Sequence, residues 1–296
     1  WTSALLFGWI DGSVVAARAA PILLFALSLW ALFALSRALF PDGRSAWLSA
    51  LFFAAAPLFL AGGAMVGPDA PLLLFMLLAW RFFWLAAESG KTGWWLAAGA
   101  AAGAALLSKF HAWVLLPPLW VFLAFSPSHR ARLKTPGPWM ALAVALLVLS
   151  PNLIWNAQHG WINYAFQWRR SDLPEARLNG EDALEYALGP ILTLGPILYW
   201  IAAWGAWRGF ALWRADRDPR WLYLLFAGLP LPLFLGVLSW VVTISLHWPA
   251  AGYLPLFVLA ARLIERRAMR GPRLARAAVW TGAGMSAAGI LALLFV

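Results

Sequence analysis

Long apolar runs separated by short polar breaks dominate the chain. The runs fall at about 14–40, 45–62, 71–88, 94–108, 111–125, 138–155, 186–207, 221–243, 249–264 and 275–296. Each is long enough to cross, or nearly cross, roughly 30 Å of hydrocarbon. The pattern therefore predicts an all-α, polytopic membrane helix bundle with about ten transmembrane helices in one domain over residues 1–296. Pro and Gly recur inside the runs, which neighbouring helices in a bundle tolerate. The run 94–108 is short and rich in Ala and Gly, so it is expected to pack against other helices rather than face lipid. There is no internal repeat.

The breaks between runs form two alternating sets. One contains Pro41–Arg44, Glu88–Gly93, Ser126–Pro138, Arg208–Arg220 and Arg262–Arg276. The other contains Gly62–Pro71, Ser108–His111, Asn156–Glu185 and Ser245–Trp248. The first set, with Arg37 and Arg81 at flanking helix ends, carries 17 of the 22 Lys and Arg. The second side carries Arg18, Lys109, Arg169, Arg170 and Arg177. The positive-inside rule places the first set in the cytoplasm and the second outside it.

Composition agrees with a membrane protein. Hydrophobic residues make up 63% and charged residues 11%, against roughly 25% charged in soluble domains. The 22 Trp suit interfacial belts. The net charge of +10 sits in short loops between apolar runs, so it reads as topology and contact with anionic membrane lipid rather than a nucleic-acid face. With no Cys, disulfide and thiolate chemistry are excluded. The first residues, from Trp1, show no basic region ahead of an apolar core, so no signal peptide is expected. Walker, GxGxxG, HExxH and GxSxG patterns do not occur in a supporting context.

The candidate chemistry lies in the second set of loops. Val66-Gly67-Pro68-Asp69-Ala70-Pro71 puts a carboxylate between prolines at the end of a span. Two readings stand: Asp69 is a turn residue, or it is functional, because a carboxylate near the bilayer is costly. Ser108-Lys109-Phe110-His111 places a lysine against the charge bias. It is either a snorkelling lysine or a contact for a phosphate or pyrophosphate. His111 is a structural residue, a hydrogen bonder, a proton carrier or a metal ligand. Asn156, Gln158, His159 and Trp161 offer amides, an imidazole and an indole suited to a sugar; the other reading is an interfacial belt with a helix C-cap near Gly160. Arg169 and Arg170 either hold a lipid phosphate or pair with Asp172, Glu175, Glu181, Asp182 and Glu185 nearby. His247 and Trp248 mark the last outer turn, as a ligand or phosphate contact and an interface anchor, with Pro249 fit for a helix start.

Four stretches in order carry a resemblance. They are Pro68-Asp69-Ala70-Pro71-Leu72-Leu73-Leu74-Phe75, then Ala105-Leu106-Leu107-Ser108-Lys109-Phe110, then Ser150 through Trp161, and His247-Trp248-Pro249-Ala250. Together they resemble bacterial glycosyltransferase family 39, relatives of protein O-mannosyltransferases and of the aminoarabinose transferases that modify lipid A. The resemblance implies a C-type glycosyltransferase fold and transfer of a sugar from a polyprenyl-phosphate donor to a lipid, glycan or protein acceptor. The setting would be the extracytoplasmic face of a bacterial inner membrane. Asp69 matches the family's second-loop aspartate, and Lys109 matches a basic residue that meets the carrier phosphate. The family usually begins with one more helix and an outer loop holding an Asp-Glu pair, the expected base. Here the match starts after that loop, so the chain is expected to be a piece of a longer protein.

Such a transfer needs a base for the acceptor hydroxyl and cations for the departing phosphate. Asp69 is the catalytic candidate, orienting the acceptor or the base, or serving as the base itself. Lys109, Arg169 and Arg170 are donor-phosphate candidates. Asn156, Gln158, His159, Trp161, His247 and Trp248 are sugar or acceptor candidates. No cofactor follows from the sequence. A divalent metal on His247 and an acid is compatible with the chemistry, but no metal-ligand pattern is present. The rivals are a transporter or flippase for lipid-linked sugars, which would need charges lining a path through the bundle, and an inactive membrane scaffold.

Overall fold

The computed structural model describes residues 14–41, 43–170, 178–268 and 284, and in these it is helical throughout, apart from turns and short connections. The helices are α1 (Val14–Leu39), α2 (Ser45–Ala55), α3 (Pro57–Ala64), α4 (Asp69–Ser89), α5 (Thr92–Ser108), α6 (Ala112–Leu115) and α7 (Pro117–Phe125). After a 3₁₀ turn at Arg130–Lys134 come α8 (Pro136–Gln158), α9 (Ile162–Arg170), α10 (Gly180–Thr193), α11 (Pro196–Asp216), α12 (Pro219–Gly228), α13 (Pro230–Leu238) and α14 (Ala250–Ala268).

Proline sets many of the starts. Pro57, Pro117, Pro136, Pro196, Pro219 and Pro230 each stand in the first turn of a helix, where the missing N–H costs nothing. The same prolines break apolar runs that hydropathy alone joins. Ala56 is extended ahead of Pro57, so α2 and α3 meet at 73°. Gly195, at φ 90°, lets α10 and α11 meet at 111°. As a result the ten expected runs do not map one to one onto spans. Among the described residues, four helical segments are long and apolar enough to cross a membrane: Arg18–Leu39, Asp69–Ser89, Pro136–Gln158 and Pro219–Leu238. Counting each bent pair as one span raises this to six. The run 111–125 is split at Pro117, and 275–296 falls outside the described residues apart from Gly284. The chain is a multi-pass membrane protein.

The core is aromatic and aliphatic. Phe52, Phe53, Phe59 and Phe257 meet in edge-on contacts, and Trp80, Phe83, Phe122, Trp221 and Tyr223 are fully buried. The Ala/Gly-rich α5 does pack inside the bundle. Its Trp95, Ala98, Gly99, Ala102, Gly103 and Ala105 are buried. A side chain at Gly103 would press on Val148 and the Ala145 carbonyl of α8. Small residues here let two backbones approach closely.

The two loop sets separate cleanly. At one end of α4, His129 Nε2 lies 2.9 Å from the Glu88 carboxylate, and Arg132 donates to the Ala87 and Glu88 carbonyls at 2.9 Å each. The Arg44 N–H donates to the Glu265 carboxylate, and Arg220 reaches the Leu39 carbonyl. At the other end, Asp69 meets Lys109 and His247, and Phe110 meets Tyr164. Each of these contacts joins members of one set or the helix end beside them. The 21 residues of α4 hold the two ends apart, by roughly 30 Å at about 1.5 Å per residue.

Candidate functional site

Asp69 is the first residue of α4, set there by the turn through Gly67 and Pro68. A carboxylate in the first helical turn faces the positive end of the helix dipole. Lys109 caps the far end of α5 in an extended conformation, and its backbone N–H donates to the Ala105 carbonyl at 3.1 Å. The extended residue turns the lysine out of the helix line and toward α4. Its ammonium donates to Asp69 Oδ1 at 2.6 Å. Their side chains are 14% and 35% exposed respectively. The lysine is thus more enclosed than its partner, which opposes a lysine simply snorkelling to water.

The turn before α14 supplies the third group. His247 Nε2 stands 4.0 Å from the other carboxylate oxygen of Asp69, with its side chain 49% exposed. The Ala250 N–H donates to the His247 carbonyl, and the Trp248 N–H to the Ser245 carbonyl. Trp248 packs against the core, and its ring meets the edge of His111, with centroids 5.4 Å apart. Three stretches distant in sequence thereby converge: Asp69, Lys109 with His111, and His247 with Trp248.

Burial pushes the His111 imidazole down to about 3, with the Lys109 cation adding to the effect, Asp69 opposing it and His247 contributing a little. Burial also lowers His247, again with Lys109 adding and Asp69 opposing. At neutral pH the cluster therefore holds one ion pair and two neutral imidazoles. Among the described residues, no group of three or more His, Cys, Asp or Glu is placed to hold a metal ion.

A cavity of about 250 Å³ opens beside this cluster. Asp69 and His247 stand on its wall; Phe25, Ser28, Leu58, Phe59, Gly62, Gly63 and Met65 make it mostly apolar. It penetrates between α1 and α3. The α1 residues in this wall carry no sequence signal, because Phe25 and Ser28 are ordinary members of an apolar run.

The remaining candidates lie at the corner between α8 and α9. Asn156 is fully buried. Its amide donates to the Asn152 carbonyl at 2.9 Å, and its Oδ1 accepts from the Asn163 N–H at 3.3 Å. It fastens the corner. Gly160 and Trp161 both take positive φ, 62° and 58°, so the chain does end a helix here as a C-cap near Gly160 requires. His159 bonds the Trp155 carbonyl through Nδ1 at 2.7 Å and stacks on the Trp155 ring. Gln158 and Arg169 are exposed. Arg170 ends α9. Asp172, Glu175 and Arg177 lie outside the described residues, while Asp182 accepts from the Thr243 hydroxyl at 3.0 Å. The corner touches the cluster through Tyr164, edge-on to Phe110 at 5.2 Å.

Comparison with known proteins gives three results. Residues 1–155 match the model of the dolichyl-phosphate-mannose-protein mannosyltransferase family. Over 206 residues the chain is 26% identical to the lipid A galacturonosyltransferase RgtD of Rhizobium johnstonii, covering 70% of this chain and 42% of that protein. Among solved structures, ArnT from Cupriavidus metallidurans in the apo state superposes with a TM-score of 0.62 at 19% identity, covering 92% of this chain and 49% of that one. The chain therefore spans about half of the length of the ArnT structure, and less of RgtD. The superposition shows that the helical architecture is that of ArnT. With its family model matched across more than half of its residues, the chain belongs to the dolichyl-phosphate-mannose-protein mannosyltransferase family.

Proposed function

We propose that the full-length protein is a membrane glycosyltransferase. It moves a sugar from a polyprenyl-phosphate-linked donor to a lipid, glycan or protein acceptor at the extracytoplasmic face of a bacterial inner membrane. The carrying observation is the Asp69–Lys109 pair and His247 at the mouth of an apolar cavity. A lipid-phosphate sugar has that same polarity: a long apolar tail, one phosphate and a polar sugar. The name of RgtD as a relative supports sugar transfer to a lipid acceptor.

In this reading the carrier tail enters between α1 and α3, and Lys109 meets the phosphate. A compact ammonium suits phosphoryl oxygens, and it stabilises the charge that grows as the phosphate departs. Arg169 and Arg170 would approach the same phosphate from α9. Asp69 orients the acceptor side of the reaction. Asn156 shapes the outer corner, and Gln158, His159, Trp161 and Trp248 line the approach for sugar or acceptor. The charge of the loops supports an outer position for the cluster, and in this reading the short apolar helices complete about ten spans in this chain.

The test is transfer by the purified full-length protein in detergent, using a polyprenyl-phosphate-linked galacturonate and lipid A as probes. Asp69→Asn should slow transfer with donor binding near normal, whereas Lys109→Ala should weaken donor binding. Wild-type rates in both variants would move the site elsewhere. Movement of the intact lipid-linked sugar across vesicles, without transfer, would favour a flippase.

A further inference from the structure

We propose that Arg81 of α4, seated on the Phe82 and Trp94 rings, binds the phosphate of an anionic glycerophospholipid in the leaflet at the basic-loop end of the bundle. The proposal goes beyond sugar transfer and uses none of the Asp69 cluster. Arg81 is a charge inside a membrane span, since Asp69–Ser89 is one of the four long apolar helical segments. It lies about 12 Å along the axis from the Ser89 end. A charge at such depth is costly, and it ordinarily pairs with another charge or with backbone carbonyls. Arg81 does neither. Among the described residues it has no ion-pair or hydrogen-bond partner, and its Nε is buried. The two acids of its own helix, Asp69 and Glu88, are engaged elsewhere. Asp69 holds Lys109, about 18 Å away along the axis. The Glu88 carboxylate meets His129 Nε2, about 10 Å away in the other direction.

The contacts of the guanidinium are aromatic. Its carbon lies 5.5 Å from the centre of the Phe82 ring and 5.9 Å from that of Trp94. These rings stack on each other, with centroids 5.6 Å apart and planes 19° from parallel. Rings hold a guanidinium by its face. They leave its edge of N–H donors in the plane, and that edge grips a phosphate through two parallel hydrogen bonds. The arginine is half-buried, so part of it faces out of the bundle, where the neighbour in a bilayer is lipid. The platform also sets its height. Side chains of α4 leave the backbone tilted toward the Asp69 end of the helix, away from the nearer headgroups. Trp94 draws the guanidinium the other way, because it stands in the first turn of α5, just after the exposed Lys91.

The surroundings narrow the ligand. A phosphate satisfies the guanidinium edge, and acyl chains suit the apolar helix around it. Net negative charge suits this end of α4, where Lys91 is exposed and Arg130, Arg132 and Lys134 share one loop. Arg132 of that loop is spent on the Ala87 and Glu88 carbonyls, which leaves Arg81 as the deep contact and Lys91 at the headgroup layer. By the charge of its loops this leaflet is the cytoplasmic one, whose lipids are the anionic ones and which recurrently seat in basic pockets between helices. A free phosphate ion has the charge but no chain to carry it to the depth of Arg81. A zwitterionic lipid brings its own cation to compete for the phosphate.

The test is lipid binding by the purified full-length protein in dodecyl maltoside, with phosphatidylglycerol as the probe. A ligand that binds only the folded state raises the unfolding midpoint, and native mass spectrometry detects the lipid that stays bound. Phosphatidylglycerol should raise the wild-type midpoint and remain on the protein. Arg81→Met should lower the apparent affinity by at least about tenfold, as for a lost charge-assisted contact. Arg81→Lys should keep part of it, because an ammonium meets a phosphate without the fork. Trp94→Leu should weaken it about threefold by removing one ring of the platform. Arg130→Met, away from the platform, should bind as wild type does. Phosphatidylcholine and inorganic phosphate should each leave the midpoint unmoved. Equal affinity in wild type and Arg81→Met would overturn the proposal by moving the site. So would an equal rise with phosphatidylcholine, which means plain lipid contact, an equal rise with inorganic phosphate, which means free-anion binding, or an equal loss in Arg130→Met, which means general charge. If Arg81→Met does not fold, undiminished affinity in both Arg81→Lys and Trp94→Leu overturns it. No arm measures sugar transfer, so the outcome is independent of the enzyme reading.

Discussion

The Asp69–Lys109 pair allows stability and activity to be separated. Lys109→Ala leaves a carboxylate without its ammonium, next to an apolar cavity. A fully buried charge stripped of its partner costs about 3–5 kcal/mol. Asp69 keeps 35% of its side chain exposed, so water screens part of the loss, and the expected destabilisation is about 1–3 kcal/mol. Asp69→Asn leaves the better-buried lysine alone and should cost a similar amount. The double variant Asp69→Asn/Lys109→Met removes both charges and should return to within about 1 kcal/mol of wild type, since neutral replacement of an ion pair is often tolerated. Transfer behaves differently. Each single variant should lose at least about 100-fold, and the double variant should recover none of it, because catalysis needs the charges themselves. Denaturant unfolding in micelles reads the first quantity, and label transfer from the lipid-linked donor reads the second. If the double variant regained transfer together with stability, the pair would be a structural staple between α4 and α5, and the catalytic argument would fail.

Four further outcomes follow from the same structure. His111 is held down to about 3 by burial, so the unfolded chain binds a proton there between pH 6.5 and that value while the folded chain does not; stability present above pH 6.5 should fall by up to about 1.4 kcal/mol per pH unit on acidification, and micellar melting of His111→Gln should show a flatter slope. Gly103→Leu drives a side chain into Val148 of α8 and should cost about 1–3 kcal/mol, as overpacking does, measured as a lower unfolding midpoint with the same oligomeric profile. A single Cys at Ser128 should resist an impermeant thiol reagent in intact cells, and one at Gln158 should react, which labelling can read cleanly because the chain has no Cys of its own; labelling at Ser128 would reverse the topology. Alanine at Trp161 or Arg169 should weaken donor use in protein that still folds, whereas a loss of expression alone would make α9 part of an interfacial belt.

Much of this was legible in the chain. The alternation of basic and poor loops sorted the polar residues into two ends, and the contacts at each end of α4 follow that sorting. Asp69 and Lys109 stood out because each breaks a local rule, a carboxylate or a lysine where membrane energetics resist it. Both could be placed at one face, where helix packing can bring them together; the direct contact across 40 residues of chain is what only the packing of two antiparallel helices shows. The apolar runs and the long helices among the described residues differ in number for a physical reason. Hydropathy sums composition over a window, while Pro57 and Pro117 break the hydrogen-bond ladder inside windows that remain apolar. Asn156 shows the opposite limit. An amide in an outer loop offers itself to a sugar on paper, and only the fold reveals that its donor and acceptor are already used by Asn152 and Asn163.

The placement of the cluster follows from what a bilayer permits. Irregular backbone must lie at the ends of helices or inside protein, so groups that need extended or turning backbone, such as Lys109 and the His247 turn, gather at one mouth. The family model stops at residue 155 and so covers Asp69 and Lys109 but neither His247 nor Trp248. Those two arrive on the turn into α14, whose Phe257 packs against Phe52 and Phe59 in the first half of the chain. The same aromatic contact that fixes α14 in the core therefore fixes where its leading turn ends. The half of the chain outside the matched region closes the cavity, and loosening Phe257 should displace His247 from Asp69 without touching either residue.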